Sequence, residues 1–319
     1  MSQEVGYLSA ARYGKDLVRV CRVTREGNVH HVVEYTARVM LEGEIETSYT
    51  KADNSVVVAT DTIKNTVYIL SKTSPHVHNP PAFALHIALH FTSTYPHIKK
   101  CFVDLQSHKW SRIEVDGKPH GWAFERNGDE KGVVEVCADS TAGKNKTTAY
   151  VKAGLKDLLV LKTTGSSFSN FHRDQYTTLP EVDDRMFSTS VDLKYDVQLP
   201  PNVPLTIDNI GKIDKFADFQ NVYQKTRRAT LEVFATDESA SVQATMYRTA
   251  QRVLRESPSL KSVTYAYPNK HYIAVNLTPF KLENGLGREG GAEVFHPVAD
   301  PSGLITATVT RKDINSSKL

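Results

Sequence analysis

Between residues 31 and 41 apolar side chains fall on alternate positions, Val33, Tyr35, Ala37, Val39 and Leu41, with Glu34, Thr36 and Arg38 between them. A period of two marks a strand with one buried face. An apolar run from Leu17 to Thr24 precedes it, and Glu26-Gly27-Asn28 supplies turn chemistry between the two, so the chain is predicted to open with an antiparallel hairpin. From Thr60 to Ser71 the signals compete: Val67 and Ile69 favour strand, but Ile63, Val67 and Leu70 share one helical face. The spacing decides for a helix with Thr60 near its N-cap. Past Pro80-Pro81, the residues Phe83, Ile87 and Phe91 recur every four positions and predict a second helix over 82–94. Strand character returns at 101–105 and 109–115.

The second half repeats this order. Residues 95–115 align without gaps over 257–277, placing Pro96 on Pro258, Ile98 on Leu260, Lys99 on Lys261, Trp110 on Tyr272 and Ile113 on Val275, at a constant offset of 258 − 96 = 162. Each copy follows a helix, in the second case Ser241 to Glu256 with Met246, Ala250 and Val253 on one face. Strand pair, helix pair, strand pair, twice over, is the simplest organisation. The fold class is therefore α+β in two tandem domains, 1–140 and 141–319, divided in the polar, aperiodic stretch 138–148. A second soft region, 199–204, holds three prolines.

Composition narrows the class. Of 319 residues, 40% are hydrophobic and 24% charged, the balance of a globular protein. Lys and Arg number 39 against 36 Asp and Glu, a net +3 that leaves no footprint for nucleic acid. No run of 18 apolar residues predicts a membrane span, and the opening Met1-Ser-Gln-Glu-Val is not a secretory leader. The sequons at Asn145, Asn276 and Asn315 then carry no meaning. Cys21, Cys101 and Cys137 form no Cys-x-x-Cys and leave an odd thiol, which supports neither a disulfide framework nor a zinc ribbon. The chain ends in Ser317-Lys318-Leu319, the tripeptide read by the peroxisomal import receptor, so a peroxisomal location is expected.

Several motifs are set aside. Gly285-Leu-Gly287-Arg-Glu-Gly290 spells a dinucleotide fingerprint, but only 29 residues follow and Pro297 and Pro301 interrupt them, so it reads as a loop. His86 and His90 stand four apart on an apolar helix with no accompanying Glu and read as core or surface histidines, not a metal pair. No nucleophile elbow and no P-loop is present.

Longer strings carry a specific resemblance. Tyr13-Gly14-Lys15-Asp16, the segment from Leu41 to Thr66 containing Thr60-Asp61-Thr62, Asp116-Gly-Lys-Pro-His120, Leu161-Lys-Thr-Thr-Gly-Ser166, Asp174-Gln-Tyr-Thr-Thr-Leu179, Ser241-Val242-Gln243-Ala-Thr-Met-Tyr247 and Pro268-Asn269-Lys-His271-Tyr272 resemble urate oxidase (uricase) in the right order, over roughly residues 11–311. The resemblance implies two tandem tunnelling-fold domains, antiparallel sheets with a helix pair on one face, assembled as a homotetramer with active sites at subunit interfaces. It implies an enzyme that converts urate, O2 and water to 5-hydroxyisourate and H2O2 with no cofactor and no metal.

The resemblance also assigns roles by position. Arg185 looks like the guanidinium that grips one edge of the planar urate anion, where a rigid fork of donors suits two adjacent acceptors. Gln243 looks like the amide on the opposite edge, Phe168 like the ring on which the purine stacks, and Leu179 like an apolar wall. The backbone N–H groups of Thr60, Asp61 and Val242, the last in the Ser241-Val242-Gln243 string, are expected to add hydrogen bonds. Lys15, Thr60 and His271 resemble a proton relay, and Asn269 the residue that holds O2 and later water over the ring. Two other readings remain open on the residues alone: a zinc-dependent pterin or purine enzyme of the same fold, and a purine-binding protein without catalysis.

Overall fold

The computed structural model describes residues 5–285, 291–298 and 300–312. In chain order the elements are β1 (Tyr13–Glu26), β2 (Val29–Gly43), α1 (Glu46–Thr50), α2 (Thr60–Thr73), α3 (Pro80–Thr94), β3 (Ile98–Val115), β4 (Lys118–Asp139), β5 (Thr148–Lys162), β6 (Phe187–Val197), α4 (Ile210–Ala217), α5 (Phe219–Thr236), α6 (Val242–Glu256), β7 (Leu260–Ala274), β8 (Phe295–Val298) and β9 (Leu304–Thr310). The chain divides into two compact units. The first is Met1–Gly154 with Tyr195–Tyr223 and Ser259–Lys261; the second is Leu155–Lys194 with Gln224–Pro258 and Ser262–Leu319.

In the first unit β1 to β4 form an antiparallel meander. Its two hairpins are closed by two-residue turns whose chemistry is written in the chain. Gly27 takes φ 60° between Glu26 and Val29, and Asp116-Gly117 takes φ 51° and 72° between Val115 and Lys118. Such positive φ values match the right-handed twist of the strands they join. The alternation along β2 resolves as predicted: Tyr35, Ala37, Val39 and Leu41 are all buried. Opposite them lie Ile63, Val67 and Leu70 of α2 and Phe83, Ile87 and Phe91 of α3. Tyr35 stacks on Phe83 at 5.7 Å and donates to Val77 O at 2.6 Å, so the largest polar group in this core is satisfied.

Two boundaries differ from the expectation, each for a local reason. Helix α3 begins at Pro80, because proline's missing N–H costs nothing in a first turn and Asn79 caps it. Strand β3 does not pause between 105 and 109: it runs unbroken for 18 residues, its polar middle held in register with β4 through His108↔Lys131 and, after a shift, Trp110↔Arg126.

The second unit repeats the plan. β5, β6 and β7, most of whose residues fall in this unit, follow one another as hydrogen-bonded neighbours, and β8 and β9 both pair with β7. Helices α5 and α6 contribute buried Phe234, Met246, Ala250 and Val253 to its core, and the strands contribute buried Val191, Val263 and Tyr265. The offset of 162 extends beyond the aligned stretch: α3 and α6 are both 15 residues long, begin at 80 and 242, and are capped by Asn79 and Ser241. The strands that follow begin at 98 and 260. Every buried position of α6 after its first, at 245, 246, 249, 250, 253 and 254, maps onto a buried position of α3. Among the described residues no helix is long and apolar enough to cross a membrane.

Candidate functional site

The first unit presents Lys15, Thr60 and Asp61. Lys15 lies on β1 opposite Val39, and the strand breaks register immediately after it, with Leu17 at φ 54° and its N–H turned onto Asp16 Oδ1. Thr60 is the first residue of α2, and Ala59, not Thr60, is the N-cap. Its hydroxyl is therefore not consumed by capping and makes no hydrogen bond among the described residues. The N–H groups of Thr60 and Asp61 face outward from the helix start, where no intrahelical acceptor exists. The Asp61 carboxylate accepts from Lys64 Nζ at 2.6 Å and Asn65 Nδ2 at 2.8 Å. The Lys64 contact, then its charge, holds the carboxyl below its ordinary range, and the Lys15 ammonium contributes to the same shift. Lys15 and the start of α2 are thus electrostatic neighbours.

The second unit carries the other residues, drawn together by an irregular segment between β5 and β6. Asp184 organises its entry, accepting from Thr164 Oγ1 at 2.5 Å and the Gly165 N–H at 2.8 Å. Arg185 N–H then donates to Ser166 O at 2.7 Å, and Phe168 exchanges both backbone hydrogen bonds with Val182 at 2.7 and 3.0 Å. The Phe168 ring stacks on Phe171 at 4.7 Å with an interplanar angle of 10°, and the Arg185 guanidinium sits 5.1 Å from the centre of the Phe168 ring. Leu179 is half exposed, and its carbonyl accepts from Arg173, whose guanidinium lies over Phe171.

A short parallel bridge ties this segment to α6: Ser167 N–H donates to Ser239 O and Ser239 N–H to Gly165 O, both at 2.9 Å. Two residues on, Ser241 caps α6 by accepting from the Ala244 N–H at 3.0 Å. Val242, the first helical residue, is buried, and Gln243 stands exposed on the first turn. No hydrogen bond joins Arg185 to Gln243; the Ser166–Ser239 bridge is what connects their segments. Asn269 lies on β7, its N–H bonded to Gly303 O at 2.8 Å. Next to it Pro268 O accepts from Thr189 Oγ1 at 3.0 Å. His271 pairs with Val298 of β8 and its ring is exposed.

Arg185 Nε, Ser166 Oγ and Asn269 Oδ1 are buried with no hydrogen-bond partner. Other such atoms exist, so orphaning alone does not mark a site. Arg185 stands apart because it is a charge: partial burial pulls its pKa below the ordinary guanidinium value, and among the described residues no carboxylate pairs with it. A partly desolvated cation with no carboxylate partner among the described residues, set beside an aromatic face, favours a flat anion.

Ser166, Asp184 and Ser239, which shape this segment, were missed by sequence reasoning. Only Ser166 lay inside a matched string, and contacts between distant segments leave no local period to read. Among the motifs set aside, His86 is buried and shares a hydrogen bond of 2.8 Å with Ser74 Oγ. Among the described residues no group of three or more His, Cys, Asp or Glu side chains could hold a metal. Most of the Gly285–Gly290 motif and the whole Ser317-Lys318-Leu319 tail lie outside the described residues.

Comparison with known proteins completes the picture. A family model described as uricase matches residues 11–137 and 151–306. The uricase of Schizosaccharomyces pombe is 43% identical over 311 residues, which cover 97% of this chain and 99% of that one. The uricase of Aspergillus flavus is 44% identical over 311 residues, 97% and 98% of the two chains. The crystal structure of uricase from Arthrobacter globiformis superposes with a TM-score of 0.82 at 31% identity, covering 99% of this chain and 100% of that one.

Proposed function

Because this chain belongs to the uricase family, an α+β protein of two tandem tunnelling-fold domains that oxidises urate with O2, we propose that it makes 5-hydroxyisourate and H2O2 without cofactor or metal. In the proposed reaction two electrons and two protons pass from urate to O2, which leaves as H2O2. Water then adds its hydroxyl to C5 of the oxidised ring and its proton to a ring nitrogen. The urate anion is electron-rich enough to reduce O2 directly, so the protein's part is to hold, orient and move protons.

The observation that carries this reading is the half-buried Arg185 guanidinium, whose buried Nε has no partner among the described residues and whose carbon lies 5.1 Å from the centre of the Phe168 ring. Phe168 supplies a stacking face, a contact of about 1–3 kcal/mol for a nucleobase. The guanidinium fork takes one edge of the purine and Gln243 the other, with the Val242 N–H beside it and Leu179 as a wall. Lys15, Thr60 and His271 relay protons between urate and water, and Asn269, whose Oδ1 is unsatisfied, holds O2 and then water. The N–H groups of Thr60 and Asp61 add main-chain donors for the anion.

The same proposal includes assembly as a homotetramer with each site at a subunit interface. It also includes peroxisomal import through Ser317-Lys318-Leu319 and a division of the tandem repeats at 140/141, in the loop after β4. Confinement of a peroxide-forming reaction suits such a compartment. The test is an oxygen electrode with metal-free protein: urate should drive O2 uptake with one H2O2 formed per O2, unchanged by chelator. Turnover that appears only on adding a metal or flavin would refute the cofactor-free reading. Tight urate binding with no O2 uptake would refute catalysis.

A further inference from the structure

Lys15 and Thr60 lie 45 residues apart, on a strand and at a helix start, so something must hold them in register. Tyr13 stands two residues before Lys15 on β1, and alternation places both side chains on one side of the strand. Their cross-strand partners are Leu41 and Val39, both fully buried, so that side is the one covered by the helices. From there the Tyr13 hydroxyl accepts the Val58 N–H at 2.8 Å. Val58 is two residues before Thr60, in the extended segment that delivers the chain to α2. One hydrogen bond thus clamps the approach to Thr60 onto the strand that carries Lys15.

The surroundings make this clamp firm. Between Tyr13 and Lys15, a Cβ on Gly14 would meet Val39 O at 1.9 Å, so only glycine lets β1 lie this close to β2. The Tyr13 phenol is half-buried, and burial raises its pKa, with Tyr49 and Tyr95 adding to the rise and the Val58 hydrogen bond opposing it. The hydroxyl therefore stays protonated, and at the start of α2 Asp61 feels the Lys15 charge.

We infer that Tyr13 is a positioning residue for proton transfer: its hydroxyl, through the Val58 N–H, sets the Thr60 hydroxyl against the Lys15 ammonium. This inference rests on the Lys15–Thr60 relay proposed above. The test is a double-mutant cycle on kcat for urate with Tyr13→Phe and Lys15→Met in the full-length protein, with Tm recorded for every variant. Tyr13→Phe keeps the ring and removes only the hydroxyl. Its kcat should fall about tenfold, the cost of one displaced hydrogen bond. In the Lys15→Met background the same change should alter the residual kcat less than twofold, because the relay it serves is already broken. A kcat for Tyr13→Phe within twofold of wild type overturns the inference, as does an equal loss in both backgrounds, which is what general loosening of the fold would give. If Lys15→Met alone leaves kcat unchanged, the relay itself fails and the inference with it.

Discussion

Replacing Arg185 by Lys keeps the charge and removes the plane. The guanidinium lies 5.1 Å from the Phe168 ring centre, and its buried Nε has no partner among the described residues. A lysine ammonium in the same place reaches one acceptor as a point charge and cannot present two parallel donors to a purine edge. Losing one charge-assisted hydrogen bond costs about 1.5–3 kcal/mol, and losing the stacked guanidinium face about 0.5–1 kcal/mol. Lysine's retained attraction offsets part of this, which leaves a net loss of about 2–3 kcal/mol, or about 30- to 150-fold in urate affinity. The assay is anaerobic equilibrium titration with urate, followed by steady-state kinetics in air. The dissociation constant should rise by that factor and kcat should change little, because the contact is made alike to substrate and transition state. Thermal stability should hold, since among the described residues no carboxylate depends on this guanidinium. A dissociation constant within threefold of wild type would refute the assignment.

Asn269→Ala is expected to spare anaerobic urate affinity within about threefold while lowering kcat/KM for O2 at least tenfold; equal loss of both would contradict its oxygen-holding role. Part of the pH dependence of folding follows from His86, whose pKa is lowered chiefly by burial, with the charges of His76 and His90 adding to the effect; burial lowers His78, His90 and His108 in the same direction. A histidine that stays neutral in the fold but protonates when unfolded contributes stability that is intact above the unfolded value, about 6.5, and lost as pH falls below it. Unfolding free energy measured from pH 7.5 to 5.5 should therefore decline, with this one ring contributing no more than about 1.4 kcal/mol per pH unit, and His86→Gln should make the decline shallower. Gly14→Ala should sharply lower the yield of folded protein, because the added Cβ has Val39 O in its place; normal expression and Tm would show that β1 can move aside.

Much of the fold was legible in the chain because its signals are local. The odd-numbered stripe of β2 and the Gly27 and Asp116-Gly117 turns each act within a few residues. The 162-residue repeat was visible in one ungapped stretch, and the matching caps at Asn79 and Ser241 show that it extends one helix further back. What the pattern did not deliver was α5, a helix whose polar Gln, Lys and Arg positions blur its apolar face. The unbroken course of β3 was also hidden, since its middle, Gln106-Ser107-His108, is itself polar. The site was legible only through matched strings. Composition and periodicity place Arg185 and Gln243 nowhere in particular; the Ser166–Ser239 bridge that links their segments joins residues 73 positions apart, and nothing local encodes it.

The most direct measurement is a crystal structure of the protein soaked with urate in the absence of oxygen. The account predicts the purine lying flat on the Phe168 ring, with two guanidinium nitrogens of Arg185 on one edge and the Gln243 amide on the other, and no metal in contact with it. Arg185 and Gln243 reaching into separate cavities in every pairing of subunits, or urate bound through a metal, would contradict it.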